Sequence, residues 1–381
     1  MHNILGHTRN HLSGYTYLSL LPFPSQDLKQ VIPAEVLKQA YHAQYLLGKL
    51  SGITTLLPDV DYFISSYVMK DAASSSQIEG TKATMVDAFE YAADPSDARN
   101  TDADDIAHYV HALNHGLDRL KKDGFPLSLR FIRELHKELM AGARSSHFAG
   151  PGDFRVSQNW IGGTRPDNAH FVPPAPEELA DALKDLELFL HTPFVHPIID
   201  VALLHAQFET IHPFLDGNGR TGRLLITFYL MHHKCLDLPA LFLSSYFKRY
   251  QKLYYQRLSE YHNGNIVPWL TFFLEAVVVT AEEAIEISKK VTEQRDKDLA
   301  TVAQFNAKSS DAALRVVPKL YREPIASSTT IQSWLGQTRQ GAFKFIDKLT
   351  DVGILVLHRA GEGARPALYA HREYLTIFAE Q

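Results

Sequence analysis

Residues 212–223 read HPFLDGNGRTGR. Apolar residues flank this stretch at helical spacing, in VALLHAQFETI (201–211) and LLITFYLM (224–231), so it reads as a turn between two helices. Gly217, Asn218 and Gly219 bring closely spaced backbone amides to the start of the second helix. There, free N–H groups and the positive end of the helix dipole favour an anion, by about 0.3 to 1 kcal/mol per charge at an exposed site. Arg220 and Arg223 are spaced i,i+3 and project from one side of the first helical turn, and a guanidinium fork matches phosphate oxygens. Two arginines point to more than one phosphate. Asp216 would oppose a polyphosphate unless a cation lay between them, and a hard carboxylate oxygen on Mg²⁺ meets that need. His212 opens the loop with an imidazole suited to accept a proton from a hydroxyl.

Two rival chemistries fit the same residues less well. His205, Glu209 and His212 have the i, i+4, i+7 spacing of a transition-metal set, but Pro213 bends the chain directly after the last of them. No GxxxxGK[ST] stretch occurs, which disfavours a Walker-type ATPase.

The rest of the chain sets the frame. With 381 residues, 45% of them hydrophobic, the protein can bury a sizeable core and hold two or three domains. A formal charge of −5 argues against a surface wholly given to nucleic acid, so any DNA contact is regional. The single cysteine, Cys235, excludes an internal disulfide and suits a reducing compartment. The N-terminus lacks the layout of a signal peptide, and no apolar run approaches the roughly 18 residues of a membrane span. A cytoplasmic protein with no membrane partner is expected.

Helical periodicity dominates residues 34–53, 127–140 and 176–191, and strand-like patterning is rare. The Pro- and Gly-rich stretch 149–178 holds two β-compatible runs, 154–156 and 159–161, read as a hairpin between helices. A second helical block runs from Pro197 to about Lys290, and SKKVTEQRDKDLA (288–300) reads as a polar connector beyond it. Then come a short helix in 327–337, a second helix in 338–353 ended by Gly353, and two strands about a Gly-rich turn in 354–370. That order resembles a winged helix-turn-helix, with Thr338, Arg339, Gln340 and Lys344 at or near the recognition helix and partner contact as the alternative to DNA binding.

The segment His212, Pro213, Phe214, Asp216, Gly217, Asn218, Gly219, Arg220, Arg223 resembles the signature of the Fic (Fic/Doc) family at every defining position. The resemblance implies a mainly α protein: a Fic-type helical core with a β-hairpin flap, here followed by a C-terminal winged helix. The expected domains are 1–110, N-terminal and helical; 111–300, the catalytic core; and 301–381, the winged helix. It implies a protein adenylyltransferase, a nucleotidyltransferase moving AMP from Mg–ATP to a Ser, Thr or Tyr hydroxyl of a target protein or of the chain itself. In that scheme His212 is the general base and Asp216 the Mg²⁺ ligand, and Asp216, Gly217, Asn218, Gly219, Arg220, Thr221, Gly222 and Arg223 hold the nucleotide. RVSQNWIGG (155–163) resembles the family's flap, which adds Asn159, Trp160, Ile161 and Gly162. YYQRLSEYHNG (254–264) resembles the adenine-pocket stretch, which adds Tyr254, with helix-face packing as its alternative, and His262 where many relatives have Asn.

Upstream, SSSQIEGT (74–81) alone reads as a helix ending, with Ser75 and Glu79 on one face and Gly80 as the stop. It resembles the family's inhibitory motif, formed here by Ser75, Glu79 and Gly80. The implied brake is a Glu79 carboxylate that pairs with Arg223 and displaces the γ-phosphate. Removal of AMP assisted by Glu79, another nucleotide-diphosphate donor such as a CDP- or UDP-linked compound, and a DNA-binding regulator that only senses nucleotide stand as alternatives. A homodimer and DNA at the C-terminal domain are open as partners.

Overall fold

A computed structural model describes residues 3–57, 59–95, 102–121, 124–142, 150–363 and 365–379. Of the segments read above, Met1, His2, Ala149 and Ala364 lie outside the described residues. The chain opens with strands β1 (Gly6–Asn10) and β2 (Thr16–Leu20). Helices α1 (Gln26–Gln30), α2 (Ala34–Leu56), α3 (Asp61–Ile78), α4 (Met85–Ala93), α5 (Ala103–Lys121) and α6 (Leu129–Met140) follow. After the Pro- and Gly-rich stretch come α7 (Leu179–His191), α8 (Pro197–Ile211), α9 (Asn218–His232), α10 (Ser244–Arg249), α11 (Gln251–His262) and α12 (Ile266–Ala303). The last part holds α13 (Ala307–Leu320), β3 (Ile325–Ser327), α14 (Ser328–Leu335), α15 (Arg339–Asp351), β4 (Val356–Arg359), β5 (Leu368–Ala370) and α16 (Arg372–Ala379).

These elements form two compact units. The first comprises Met1–Ser51, Ile78–Gly80 and His108–Ala281. At its centre, α8 is buried on every side from Ile198 to Ile211, which is why its sequence shows no single apolar stripe. Pro197 at its first position loses no intrahelical bond, and the His196 side chain caps it by accepting the Ile198 N–H. Trp269 of α12 donates its indole N–H to Ala202 O at 2.8 Å, and α9 runs back along α8 behind the 212–217 loop.

The second unit comprises Gly52–Gln77, Thr81–Ala107 and Glu282–Gln381. Its antiparallel sheet has the order β3-β5-β4, with Ala370 opposite both Ile325 and Val356. Phe89 of α4 packs with Ile325, Leu368, Ala370 and Leu375. Behind the sheet, Asp298 accepts from the Tyr321 hydroxyl at 2.6 Å and sits 2.7 Å from Nε2 of the buried His371. Helices α14 and α15 and strands β4 and β5 come in the order expected from the sequence, and α13 and β3 precede them unannounced.

Three expectations need correction. The runs 154–156 and 159–161 do not pair with each other as strands. Instead Ile161 forms an isolated antiparallel bridge with Phe171. Gly162 and Gly163, both at φ 71°, turn the chain away on one side, and Pro173 and Pro174 have no N–H to extend a ladder on the other. The polar segment 288–300 is not a connector but lies inside α12, with Lys289, Glu293, Asp296 and Lys297 exposed and Asp298 buried. Finally, β1 and β2 form a hairpin that alternation does not announce, since four of the five β1 residues are exposed.

Candidate active site

All the geometry below lies within the first unit, Ser75 of the second unit excepted. α8 ends at His212, whose backbone is left-handed (φ 48°, ψ 62°) and whose N–H still bonds Phe208 O at 2.9 Å. That conformation is unusual for a residue with a Cβ, and it is over-determined here. Arg155, itself buried, donates Nε to His212 O at 2.9 Å and Nη2 to Ile211 O at 3.3 Å and Pro174 O at 2.6 Å. Its backbone N–H bonds Pro213 O at 2.9 Å. Burial lowers its guanidinium to about 10, so it remains a cation capping the carbonyl end of α8. The His212 imidazole presents Nδ1 to Glu209 O at 3.3 Å. A carbonyl only accepts, so Nδ1 carries the hydrogen and Nε2 keeps the lone pair. Burial pushes this imidazole down to about 4, which keeps it neutral at pH 7.

The loop is closed by amides. Asn218 accepts the Phe214 N–H through Oδ1 and returns Nδ2 to Phe214 O, both at 2.8 Å. Asn159 adds Nδ2 to the same carbonyl at 2.8 Å and to His212 O at 3.1 Å. Beneath the loop, His136 of α6 stacks on Phe214, with ring centroids 3.7 Å apart and planes 2° from parallel. Its Nδ1 accepts the Gly152 N–H at 2.8 Å and its Nε2 donates to Asp216 O at 2.9 Å. Both nitrogens of a neutral ring are therefore used, and burial lowers the group to about 4. Gly217 turns at φ 77°, and a Cβ there would meet Met140 Sδ at 2.7 Å and His136 Nε2 at 3.3 Å.

α9 thus begins beside the imidazole, and by helix geometry the N–H groups of Asn218 and Gly219 have no carbonyl one turn back. A carboxylate lies against this opening. Glu79 Oε1 accepts from Arg223 Nη2 at 2.6 Å, and a Cβ built on Gly219 would come within 2.2 Å of the same oxygen. Burial opposes charge on Arg223, but Glu79, with Tyr254 and Glu209, outweighs it and holds the pKa above the ordinary guanidinium value. The pair is lopsided: the Arg223 side chain is 2% exposed and Glu79 37%, so the acid is the partner able to leave. Gly80 follows at φ 100°, and the Ile78 carbonyl is held by Gln251 Nε2 at 3.1 Å and the Tyr255 hydroxyl at 3.5 Å.

The remaining expected residues occupy distinct places. Thr221 and Gly222 lie on the buried side of α9, where a Cβ on Gly222 would meet Glu209 Oε1 at 2.8 Å and Phe208 Cδ1 at 3.0 Å. Tyr254 is buried beside Phe247 and hydrogen-bonds His205 Nε2 at 3.0 Å. Trp160 is 38% exposed, Ile161 carries the bridge to Phe171, and Gly162 turns against His170. His262 stacks on Phe171 at 3.8 Å. Arg220 sends Nη2 toward Met140 Sδ at 3.7 Å. Ser75 is buried in α3. Asp216 is half-buried, with Oδ1 accepting the Gly217 N–H at 2.6 Å. Sequence reading missed His136, Arg155 and Gln251, whose local contexts are those of ordinary helix or loop residues. Arg155, though quoted in the flap segment, carried no signal beyond its type.

The site thus joins a helix N-terminus opened by glycines, a left-handed histidine before it and a carboxylate on its arginine. Residues 126–230 match the model described as Fic/DOC family, and residues 37–118 match that described as Fic/DOC family N-terminal. Residues 37–118 and 126–230 of the chain belong to the Fic/DOC family. Protein adenylyltransferase Fic of Drosophila virilis is 31% identical over 159 residues, which are 41% of this chain and 30% of that protein. The Drosophila erecta counterpart is 31% identical over 159 residues, 41% and 29% of the two chains. The matched stretch therefore spans under a third of these relatives' length. The solved structure of a Fic family protein from Desulfovibrio desulfuricans G20 superposes with TM-score 0.56 at 17% identity, covering 89% of this chain and 97% of that one. A Fic domain containing signaling protein from Bacteroides thetaiotaomicron gives 0.54 at 21%, covering 65% and 96%. These likenesses establish the fold. Among the described residues no helix is long and apolar enough to cross a membrane.

Proposed function

We propose that the protein is a protein adenylyltransferase held in a restrained state by its own Glu79. The observation that carries this reading is the carboxylate seated on Arg223 against Gly219, an anion of the protein lying where the α9 N-terminus favours one. The curated relatives' name, protein adenylyltransferase, supports the reaction class. ATP is the donor in this proposal, and its phosphates replace the Glu79 carboxylate at the helix start and Arg223. His212 Nε2 takes the proton of the target hydroxyl as that oxygen attacks the α-phosphorus and pyrophosphate leaves. Imidazole bases of this kind contribute about 10² to 10⁴ in rate. The restrained Oδ1 of Asp216 leaves its second oxygen as a hard donor, a donor type that fits Mg²⁺. When bound, Mg²⁺ would neutralise phosphate charge. Asn159 and Asn218 maintain the loop in this scheme, since their amides are spent on its backbone.

We also propose that residues 301–381 form a winged-helix domain after an N-terminal region and core divided near residue 110. Strand β4's basic residues are already matched within the second unit, Arg359 with Asp94 and His358 with Glu90, so no DNA role is proposed for it. Incubation with α-labelled ATP, followed by mass spectrometry, tests the function. Glu79→Gly should label itself or a lysate protein about tenfold more than wild type, a gain equivalent to about 1.4 kcal/mol. Adding His212→Ala should abolish the label. A Glu79→Gly protein that stays unlabelled, or whose label survives His212→Ala, removes the proposal.

A further inference from the structure

The flap is too slight to hold its own shape. Ile161 and Phe171 exchange backbone bonds at 2.9 and 3.2 Å, but they form an isolated bridge, and even a full two-stranded hairpin is marginal alone in water. Support comes from a distant part of the chain, the hairpin β1–β2 and the residues leading into it. Consecutive residues of an extended chain turn their backbone groups to opposite edges. Phe171 thus faces Ile161, while Val172 O accepts the Leu18 N–H of β2 at 3.2 Å. Just before β2, the Tyr15 hydroxyl donates to Gln158 Oε1 at 3.4 Å, and Gln158 Nε2 in turn holds Asn159 O at 2.9 Å and Pro173 O at 3.0 Å. Ahead of β1, Asn3 donates Nδ2 at 2.8 Å to the carbonyl of His262, whose ring stacks on Phe171. Asn3 Oδ1 accepts the Leu5 N–H at 3.0 Å, and Gly264 leaves room for it, since a Cβ there would lie 2.6 Å from that oxygen.

We propose that residues 3–20 are a clamp that keeps the flap, residues 159–172, ordered against the 212–217 loop, with Asn3 and Tyr15 as its positioning residues. The route from clamp to loop is continuous: Tyr15 holds Gln158, Gln158 holds Asn159, and Asn159 donates to His212 O and Phe214 O. Residues 3–20 lie outside both stretches that match the family models, so the clamp is an addition to the matched core. A flap already ordered receives its ligand without losing conformational entropy of its own at that moment. In taking that ligand to be ATP, the proposal rests on the adenylyltransferase reading.

Amide hydrogen exchange on the full chain, read by mass spectrometry, tests the clamp. Asn3→Ala with Tyr15→Phe removes two of its ties and leaves the apolar packing of the hairpin in place. Exchange in peptides covering 159–172 should quicken about tenfold, and that of α8 should stay as in wild type. No change in 159–172, or an equal quickening in α8, overturns the proposal. Should the double variant not fold, Tyr15→Phe alone carries the same comparison, with about a threefold change expected. For the part played in the reaction, both changes are added to Glu79→Gly and labelling is followed against ATP concentration. KM for ATP should rise about threefold to tenfold with kcat within about twofold, the mark of lost binding rather than lost chemistry. An unchanged KM overturns that half. Because exchange needs no turnover, a Glu79→Gly protein that never labels anything would sink the adenylyltransferase reading alone.

Discussion

Gly219 and Gly222 are both glycine because of a neighbour, and the neighbours differ. At Gly219 the nearest intruding atom is Glu79 Oε1 at 2.2 Å, the end of a side chain that can move, with Arg223 Nη1 next at 2.9 Å. In wild type, Gly219→Ala should therefore break the Glu79–Arg223 pair and cost about 1 to 2 kcal/mol. In a Glu79→Ala background the same change should be neutral or stabilising, because alanine is the better helix former by about 1 kcal/mol. Chemical denaturation of the four proteins checks this, and additive values would contradict the contact. At Gly222 the obstacles include the buried Phe208 ring and His205, which cannot swing away. Gly222→Ala should lower stability by about 1 to 3 kcal/mol whatever stands at position 79.

Elements position the site through two side chains that belong to no motif. His136 ties α6 to the loop by one stack and two hydrogen bonds, one to Gly152 and one to Asp216. His136→Leu keeps the bulk but strands the Gly152 N–H and the Asp216 carbonyl, so a loss of about 2 to 4 kcal/mol is expected in urea denaturation, with labelling activity falling as the loop loosens. Arg155 plays the corresponding part at the end of α8, where one planar fork serves the carbonyls of Ile211, His212 and Pro174. Arg155→Lys retains the charge but cannot span three acceptors, and about 2 to 3 kcal/mol should be lost. The helices themselves were readable because their apolar positions recur every three or four residues. The flap was not, since its single bridge at Ile161 and Phe171 leaves no alternation to detect, and its prolines stop the ladder after one pair.

At the scale of the molecule, several buried histidines tie stability to pH. Burial lowers His136 and His212 to about 4 and His205 and His262 to about 3, each from an ordinary value of 6.5. The unfolded chain therefore binds more protons than the folded one below pH 6.5, and stability falls as pH drops from there toward 4. Glu209, raised from 4.5 to about 8, contributes the opposite sign: its stabilisation is full below pH 4.5 and is lost as pH rises through 8. Between pH 6.5 and 5 the four imidazoles outweigh the one carboxyl. Calorimetry should show the midpoint falling by several degrees from pH 7 to pH 5, and histidine Cε1 resonances of these four residues should not titrate above pH 5.

By itself the amino-acid order determined the helical class, the turn at 212–217 and the chemical types gathered around it, because periodicity and residue type are local properties of a chain. It also marked Glu79 and Arg223 as candidates, though 144 positions apart. Only the tertiary structure decided that the carboxylate reaches the guanidinium, that Asn159 and Asn218 spend their amides on the loop, and that Tyr254 lies in the core. Which acceptor a donor finds depends on backbone brought together from distant segments, and no spacing along the chain encodes that distance.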